Sequence, residues 1–258
     1  MTGEISRLLA VVTLAFRGSL RGPRLVGLGA FALAPSLLLL ALVSARVPAA
    51  SLRLAAEELL GVLTLPVIVM VVVLVLAVAQ FRNEIDAETL VYLSDRSVGR
   101  TTVVLGKYLG AWAASLVLAV PAALLPLGIA EAAGAAPYPV SVPGAVAATA
   151  VLATAAYVGL FLLLGLVSRS ALILGLLFGF LWEELLVHLP GVVPRLTLVY
   201  YLRSFLSSTL SSGPLAGYPS AVSGAASVAV ILSVTLASLL LAAVAFRVLE
   251  TAPVRDSS

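Results

Sequence analysis

An all-α, polytopic membrane fold is predicted for this chain by three observations. Hydrophobic residues make up 62% of its 258 positions and charged residues only 10%, too little charge to cover a soluble domain of this size. The apolar residues gather into runs of about 20, the length that matches a hydrocarbon core of roughly 30 Å. Between the runs lie short segments that hold most of the Arg, Asp and Glu.

Six spans can be drawn: Leu25 to Ala45, Leu59 to Gln80, Val103 to Ala130, Val146 to Val167, Ala171 to Val187, and Ala225 to Phe246. The fifth is short and ends in polar residues. Pro35, Pro66, Pro121 and Pro126 fall inside spans, where a missing backbone donor bends the helix and neighbouring groups must satisfy the freed carbonyl. No fixed-period repeat, low-complexity linker or soluble domain interrupts the pattern. The expectation is one transmembrane domain: a lead-in over 1–24, a six-span bundle over 25–247 and a tail over 248–258.

The lead-in carries Arg7 before the apolar "LLAVVTLAF", but Arg17, Arg21 and Arg24 follow where a secretory signal would have a small-residue cleavage site. Leu8, Val12 and Phe16 recur at helical spacing while Arg7, Arg17 and Arg21 lie elsewhere, the pattern of an amphipathic helix at the headgroup level. A frayed terminus is the alternative. An even number of spans puts both ends of the chain on one side. Eleven basic residues fall on that side (Arg7, Arg17, Arg21, Arg24, Arg82, Arg96, Arg100, Lys107, Arg169, Arg247, Arg255) against four on the other (Arg46, Arg53, Arg195, Arg203). The positive-inside bias makes it the cytoplasmic side of a cell membrane.

Composition also excludes function classes. Without cysteine there is no disulfide, thiolate metal site or thiol nucleophile. The arginines are scattered between apolar runs and form no basic face interleaved with aromatics, which argues against a nucleic-acid partner.

The longest polar passage, "QFRNEIDAETLVYLSDRSVGRTTVVLGKYLG", runs from Gln80 to Gly110. Acids at Glu84, Asp86 and Glu88 precede Arg96 and Arg100, the order that a helix dipole favours. Ile85, Thr89, Tyr92 and Leu93 share one side of a helix with Leu90 flanking them, and the acids give the rest its charge. "SDRSVGR" reads as a turn, Thr101 and Thr102 as caps for the next span, and Lys107 as a residue that snorkels to the interface. A solvated loop demanded by topology alone would carry similar residues.

In its order of residues this passage resembles the cytoplasmic segment of type-2 ABC-transporter permeases. The residues that carry the likeness are Glu84, Glu88, the pair Thr89 and Leu90, Leu93, Arg100, and Gly106 with Lys107. The lead-in with its arginines, the brief "SRS" after the fourth span and the interrupted fifth span extend the resemblance over most of the chain. It implies a coupling helix that docks in a cleft of a cytoplasmic ATP-binding subunit, with Ile85, Leu90, Tyr92 and Leu93 as anchors and Arg96 at the rim. The only lysine, Lys107 in "LGKYLG", lacks the glycine and the Ser or Thr of a phosphate loop, so ATP and magnesium would sit on the partner. The resemblance further implies a second copy of the chain, or a related permease, to complete a transporter.

The second concentration of polarity is "FLWEELLVHLPGVVPRLTLVYYLRSFLSSTL". Glu183, Glu184 and His188 are candidates for a substrate pathway or an outer gate closed on an arginine, because charge at membrane depth is costly and marks function. The competing and favoured expectation puts both acids at headgroup level beside Trp182, since Pro190 and Pro194 follow closely. After the prolines an amphipathic helix is expected on or in the outer leaflet. Two other classes remain open at this point: a membrane assembly protein without transport activity, and an intramembrane protease. The protease fits poorly, because His188 is the only histidine and H-E-x-x-H is absent, leaving zinc short of ligands.

Overall fold

A computed structural model describes residues 2–86, 99–210, 215 and 222–251. Among the described residues the chain is helical, with no strand. Helix α1 spans Thr2–Ser19 and α2 spans Pro23–Ser44. Helix α3, Ala49–Glu58, continues through a π-helical stretch, Leu59–Ile68, into α4, Val69–Asp86. Then come α5, Arg100–Ala132, and α6, Ser141–Val167. Helix α7, Ala171–Leu177, again passes into a π-helical stretch, Phe178–Leu185; a 3-10 turn, Val193–Leu196, leads to α8, Leu198–Thr209, and α9 covers Gly224–Thr251.

Five of these helical segments are long and apolar enough to cross a membrane: Pro23–Ser44, Ala49–Arg82, Thr101–Ala132, Ser141–Val167 and Gly224–Val248. They mark the chain as a membrane protein. The expected fifth span is not one of them. Its α-helical and π-helical parts have 7 and 8 residues, at most about 22 Å of helix against a hydrocarbon core of roughly 30 Å.

Two ends of the bundle can be told apart by their contacts. At the first, Gln80 Nε2 donates to Ser19 Oγ at 2.6 Å, Lys107 Nζ donates to the Gln80 carbonyl, and the rings of Phe81 and Phe246 lie 5.5 Å apart. The close of α4, the start of α5, the close of α9 and the whole of α1 therefore meet there. Lys107 does not snorkel: it is 5% exposed, with Nζ 4.6 Å from the centre of the Phe81 ring. A carbonyl and an aromatic face satisfy the ammonium where it stands, so it need not reach for water. Thr101 and Thr102 do not cap α5 either. The N-cap is Gly99, which makes no side-chain hydrogen bond, and both threonines fall in the first turn.

The opposite end is built around Arg53. Its Nε bonds Glu57 at 3.1 Å, its guanidinium stacks 4.5 Å over the Tyr138 ring, and the Tyr138 hydroxyl donates to the Arg53 carbonyl. Burial, then the Glu57 carboxylate, push the Tyr138 phenol up to about 12 although Arg53 pulls the other way.

Helix α1 is ordered helix rather than a frayed terminus, and it lies against the start of α5. A Cβ at Gly106 would stand 2.6 Å from Val11 Cγ1, and one at Gly110 would stand 2.5 Å from Ala15 Cβ and 2.8 Å from the Val12 carbonyl oxygen. The two helices approach until only hydrogen fits between them, as small residues four apart permit inside membranes. Leu8, Val12 and Phe16 are half-buried, while Arg7, Arg17 and Arg21 are exposed.

The prolines expected to bend helices are accommodated differently. Helices α2 and α5 run unbroken through Pro35, Pro121 and Pro126. Pro66 instead falls in the π-helical stretch. There each N–H reaches back five residues, so the missing donor of Pro66 leaves the Gly61 carbonyl open. Arg203 Nη2, on α8, donates to that carbonyl at 3.4 Å.

Candidate functional site

The chain breaks in mid-bundle, and the polar residues of the second passage gather at the break. Tyr157 on α6 stands roughly 15 Å from the Val167 end of its helix and roughly 24 Å from the Ser141 end, and its hydroxyl donates to Glu183 Oε2 at 3.4 Å. Helix α7 and its π-helical continuation climb from the α1 end to this depth. Helix α8 starts here: Leu198 and Leu202 pack in the central core with Tyr157, whereas Leu206 and Leu210 pack with Tyr138 and Val142 at the far end. Two short helical pieces thus follow one another along the bundle. Helix α8 is seated between α6 and α9 in the bundle, not laid on a leaflet, because Leu198, Val199, Leu202 and Leu206 give it a continuous buried face.

Glu183 joins the two pieces. Its carboxylate accepts the backbone N–H of Leu198 at 3.1 Å on Oε1 and that of Val199 at 2.9 Å on Oε2. Thr197 completes the cap: its Oγ1 accepts from the Tyr200 N–H at 3.2 Å and donates to the Pro194 carbonyl at 2.8 Å. The first donors of α8 would otherwise be orphaned in an apolar interior, and the helix dipole adds to their attraction for an anion. The expected headgroup position is corrected for this residue. Glu183 is 1% exposed, and the reason is that a helix starting inside the bundle brings its own need for an acceptor.

The other candidates separate from it. Glu184 Oε2 is buried with no hydrogen-bond partner among the described residues. His188 Nδ1 lies 2.7 Å from the Glu184 backbone carbonyl in an exposed turn, the contact of an Nδ1–H tautomer with its own helix. Trp182 Nε1 donates to the Leu196 carbonyl at 3.0 Å, which ties the connecting loop to the π-helical stretch. Arg203 Nη2 donates to the Gly61 carbonyl, and the carboxylate of Glu183 accepts from the Leu198 and Val199 N–H groups and the Tyr157 hydroxyl. The crevice beside Arg203, lined by Pro66 and Leu206 among others, measures about 10 Å3, room for about one water. Among the described residues no three His, Asp or Glu side chains converge as metal ligands would.

Of the first polar passage, Glu84 and Ile85 form part of the last turn of α4 and Arg100 is the first residue of α5. Glu84 and Asp86 therefore close the helix of the second span instead of opening a new one, because "QFRNEI" is a good helix-forming sequence and leaving an apolar run does not end a helix. Glu88, Thr89, Leu90, Tyr92, Leu93 and Arg96 lie outside the described residues.

Sequence reasoning missed Tyr157, Thr197 and the pair Gly106 and Gly110. Thr197 had a signal, a threonine after a proline and just before an apolar helical pattern. The glycines had one too, in the spacing of "GKYLG". Tyr157 had none beyond a hydroxyl in an Ala- and Val-rich helix. Compared with known proteins, the sequence matches no family model and no curated protein.

Proposed function

We propose that this chain is the membrane-spanning subunit of an ATP-driven transporter of the type-2 ABC class, working as an exporter. It would cross a cell membrane six times, the fifth crossing made by α7 with its π-helical continuation and α8 in series. Both termini would face the cytoplasm, and a separate ATP-binding subunit holding ATP and magnesium would dock on the segment from Glu84 to Arg100. A second copy, or a related permease, would complete the pathway. The observation that carries the reading is the convergence at one end of the bundle: α4 closes and α5 opens there, so the segment resembling a coupling helix is tethered at both sides to the end where most basic residues fall.

The docking test is a pull-down of the ATP-binding subunit by the full chain, alongside an ATPase assay in lipid vesicles. Leu90→Asp or Leu93→Asp should each remove binding, since a charge forced on a buried anchor costs at least about 2 kcal/mol, some thirtyfold in affinity. Arg96→Ala, at the rim, should change it by less than about 1 kcal/mol. Wild-type binding and turnover in both aspartate variants would leave the passage a solvated loop.

Orientation has its own measurement. The chain has no cysteine to give background, so single cysteines at Ser97 and Ser257 should be shielded from an impermeant thiol reagent in intact cells, while one at Ser212 should react. Labelling of Ser97 from outside would turn the molecule over and remove the docking role.

A further inference from the structure

A cavity of about 740 Å3 opens at the α1 end, bounded by α1, the first turn of α2, the close of α4 and the start of α5. Between α1 and α2, Gly22 adopts φ 86, a left-handed conformation natural to glycine, with Arg21 and Arg24 on either side of it. Its walls combine two chemistries. Leu14 and Leu76 belong to an apolar face, whereas Arg7, Arg21, Arg24 and Lys107 supply positive charge. Among the described residues no carboxylate lines it.

We infer that this cavity is a binding site for one anionic phospholipid, whose phosphate meets the arginines at the α1–α2 turn and whose acyl chains start along the apolar wall. A free phosphate or nucleotide would have no use for the apolar face, and a neutral lipid none for the four cations. Basic pockets where membrane helices meet the interface select anionic headgroups in this way, each Lys or Arg adding about 1 kcal/mol of attraction, or roughly fivefold. Lys107 is enclosed and bonded to the Gln80 carbonyl, so it acts through its charge, while Arg21 and Arg24 are exposed and within reach of a headgroup. The inference rests on the chain's standing in a bilayer and not on an ATPase partner. It gives α1 a role beyond anchoring: the helix is one wall of a lipid site.

The experiment is native mass spectrometry of the full chain taken from vesicles of phosphatidylcholine and phosphatidylglycerol in a three-to-one mixture. The wild-type chain should retain one phosphatidylglycerol in clear excess over phosphatidylcholine. Arg21→Glu with Arg24→Glu should reduce that retention on the order of twentyfold or more. Gly18→Phe should also reduce it several-fold with every charge intact, since Gly18 lines the cavity and a Cβ there would have nothing within 4 Å, so the ring would take up part of the space the lipid needs. Soluble glycerol phosphate in excess should displace no lipid. Equal retention of the two lipids by the wild type, undiminished retention in either variant, or displacement by glycerol phosphate would overturn the site. A wild-type chain that fails to float with vesicles would overturn the membrane reading itself, a different result from floating without lipid preference.

Discussion

Glu183→Ala should lower the unfolding free energy of the purified chain by about 3 kcal/mol or more, or roughly 6–12 °C in melting temperature for a chain of this length. The substitution removes both acceptors of the Leu198 and Val199 N–H groups and the partner of the Tyr157 hydroxyl. Each is enclosed by protein where water cannot substitute, and an orphaned buried donor costs about 1–3 kcal/mol. Glu183→Gln should fall between, because its amide keeps one acceptor but turns an NH2 group toward the second N–H. Glu184→Gln should lower stability less than Glu183→Gln does, since Glu184 Oε2 makes no hydrogen bond that the amide would lose. The measurement is thermal unfolding in detergent followed by size exclusion. An alanine variant at 183 as stable as the wild type would show that the cap holds nothing, and the buried charge would then need another explanation.

Gly110→Leu should detach α1 from the bundle. A side chain there meets the Ala15 Cβ at 2.5 Å, the Val12 carbonyl oxygen at 2.8 Å and the Phe16 nitrogen at 2.9 Å. Two of these are backbone atoms, so no rotamer change relieves the overlap and the helices must part. Overpacking of this kind costs about 1–3 kcal/mol, and the readout is protease cleavage within residues 2–19, which should quicken several-fold. Gly128→Leu is the control, on the same helix with open space around its Cβ; it should change stability by no more than about 0.5 kcal/mol. Equal protease resistance of the two variants would mean that α1 is not held by the glycine pair.

The parts of the fold that were legible are those written in local pattern. Apolar runs located five helices of spanning length, and their drawn ends differ from the observed ones mainly where a helix outlasts its apolar stretch, as at Leu59, which continues a helix begun at Ala49, and at Gln80, which the helix passes to reach Asp86. The spacing of Leu8, Val12 and Phe16 found α1, and that of Leu198, Leu202 and Leu206 marks α8. Illegible were matters of partnership across distance. Whether an apolar-faced helix packs on lipid or on protein depends on what surrounds it, so the sequence placed α8 on or in the outer leaflet without showing the protein helices it packs against. Glu183 looked like a headgroup residue because the prolines after it suggest an exit from the membrane, and nothing local says that the chain turns back inside. Arg203 and Gly61 lie far apart in the chain, and no periodicity joins them.

The Gly61 carbonyl shows what a proline in a membrane helix can be for. A regular helix offers its neighbours only side chains, since its backbone polar groups are all engaged. By withholding one N–H, Pro66 exposes a point of attachment at fixed depth and angle, and Arg203 of α8 fastens to it. The same residue that weakens one helix thereby fixes the lateral position of another. Rotation of α8 about its axis strains or releases that bond, so the irregular turn works as a latch on α8, set by a tertiary amide that has no N–H to return to the Gly61 carbonyl.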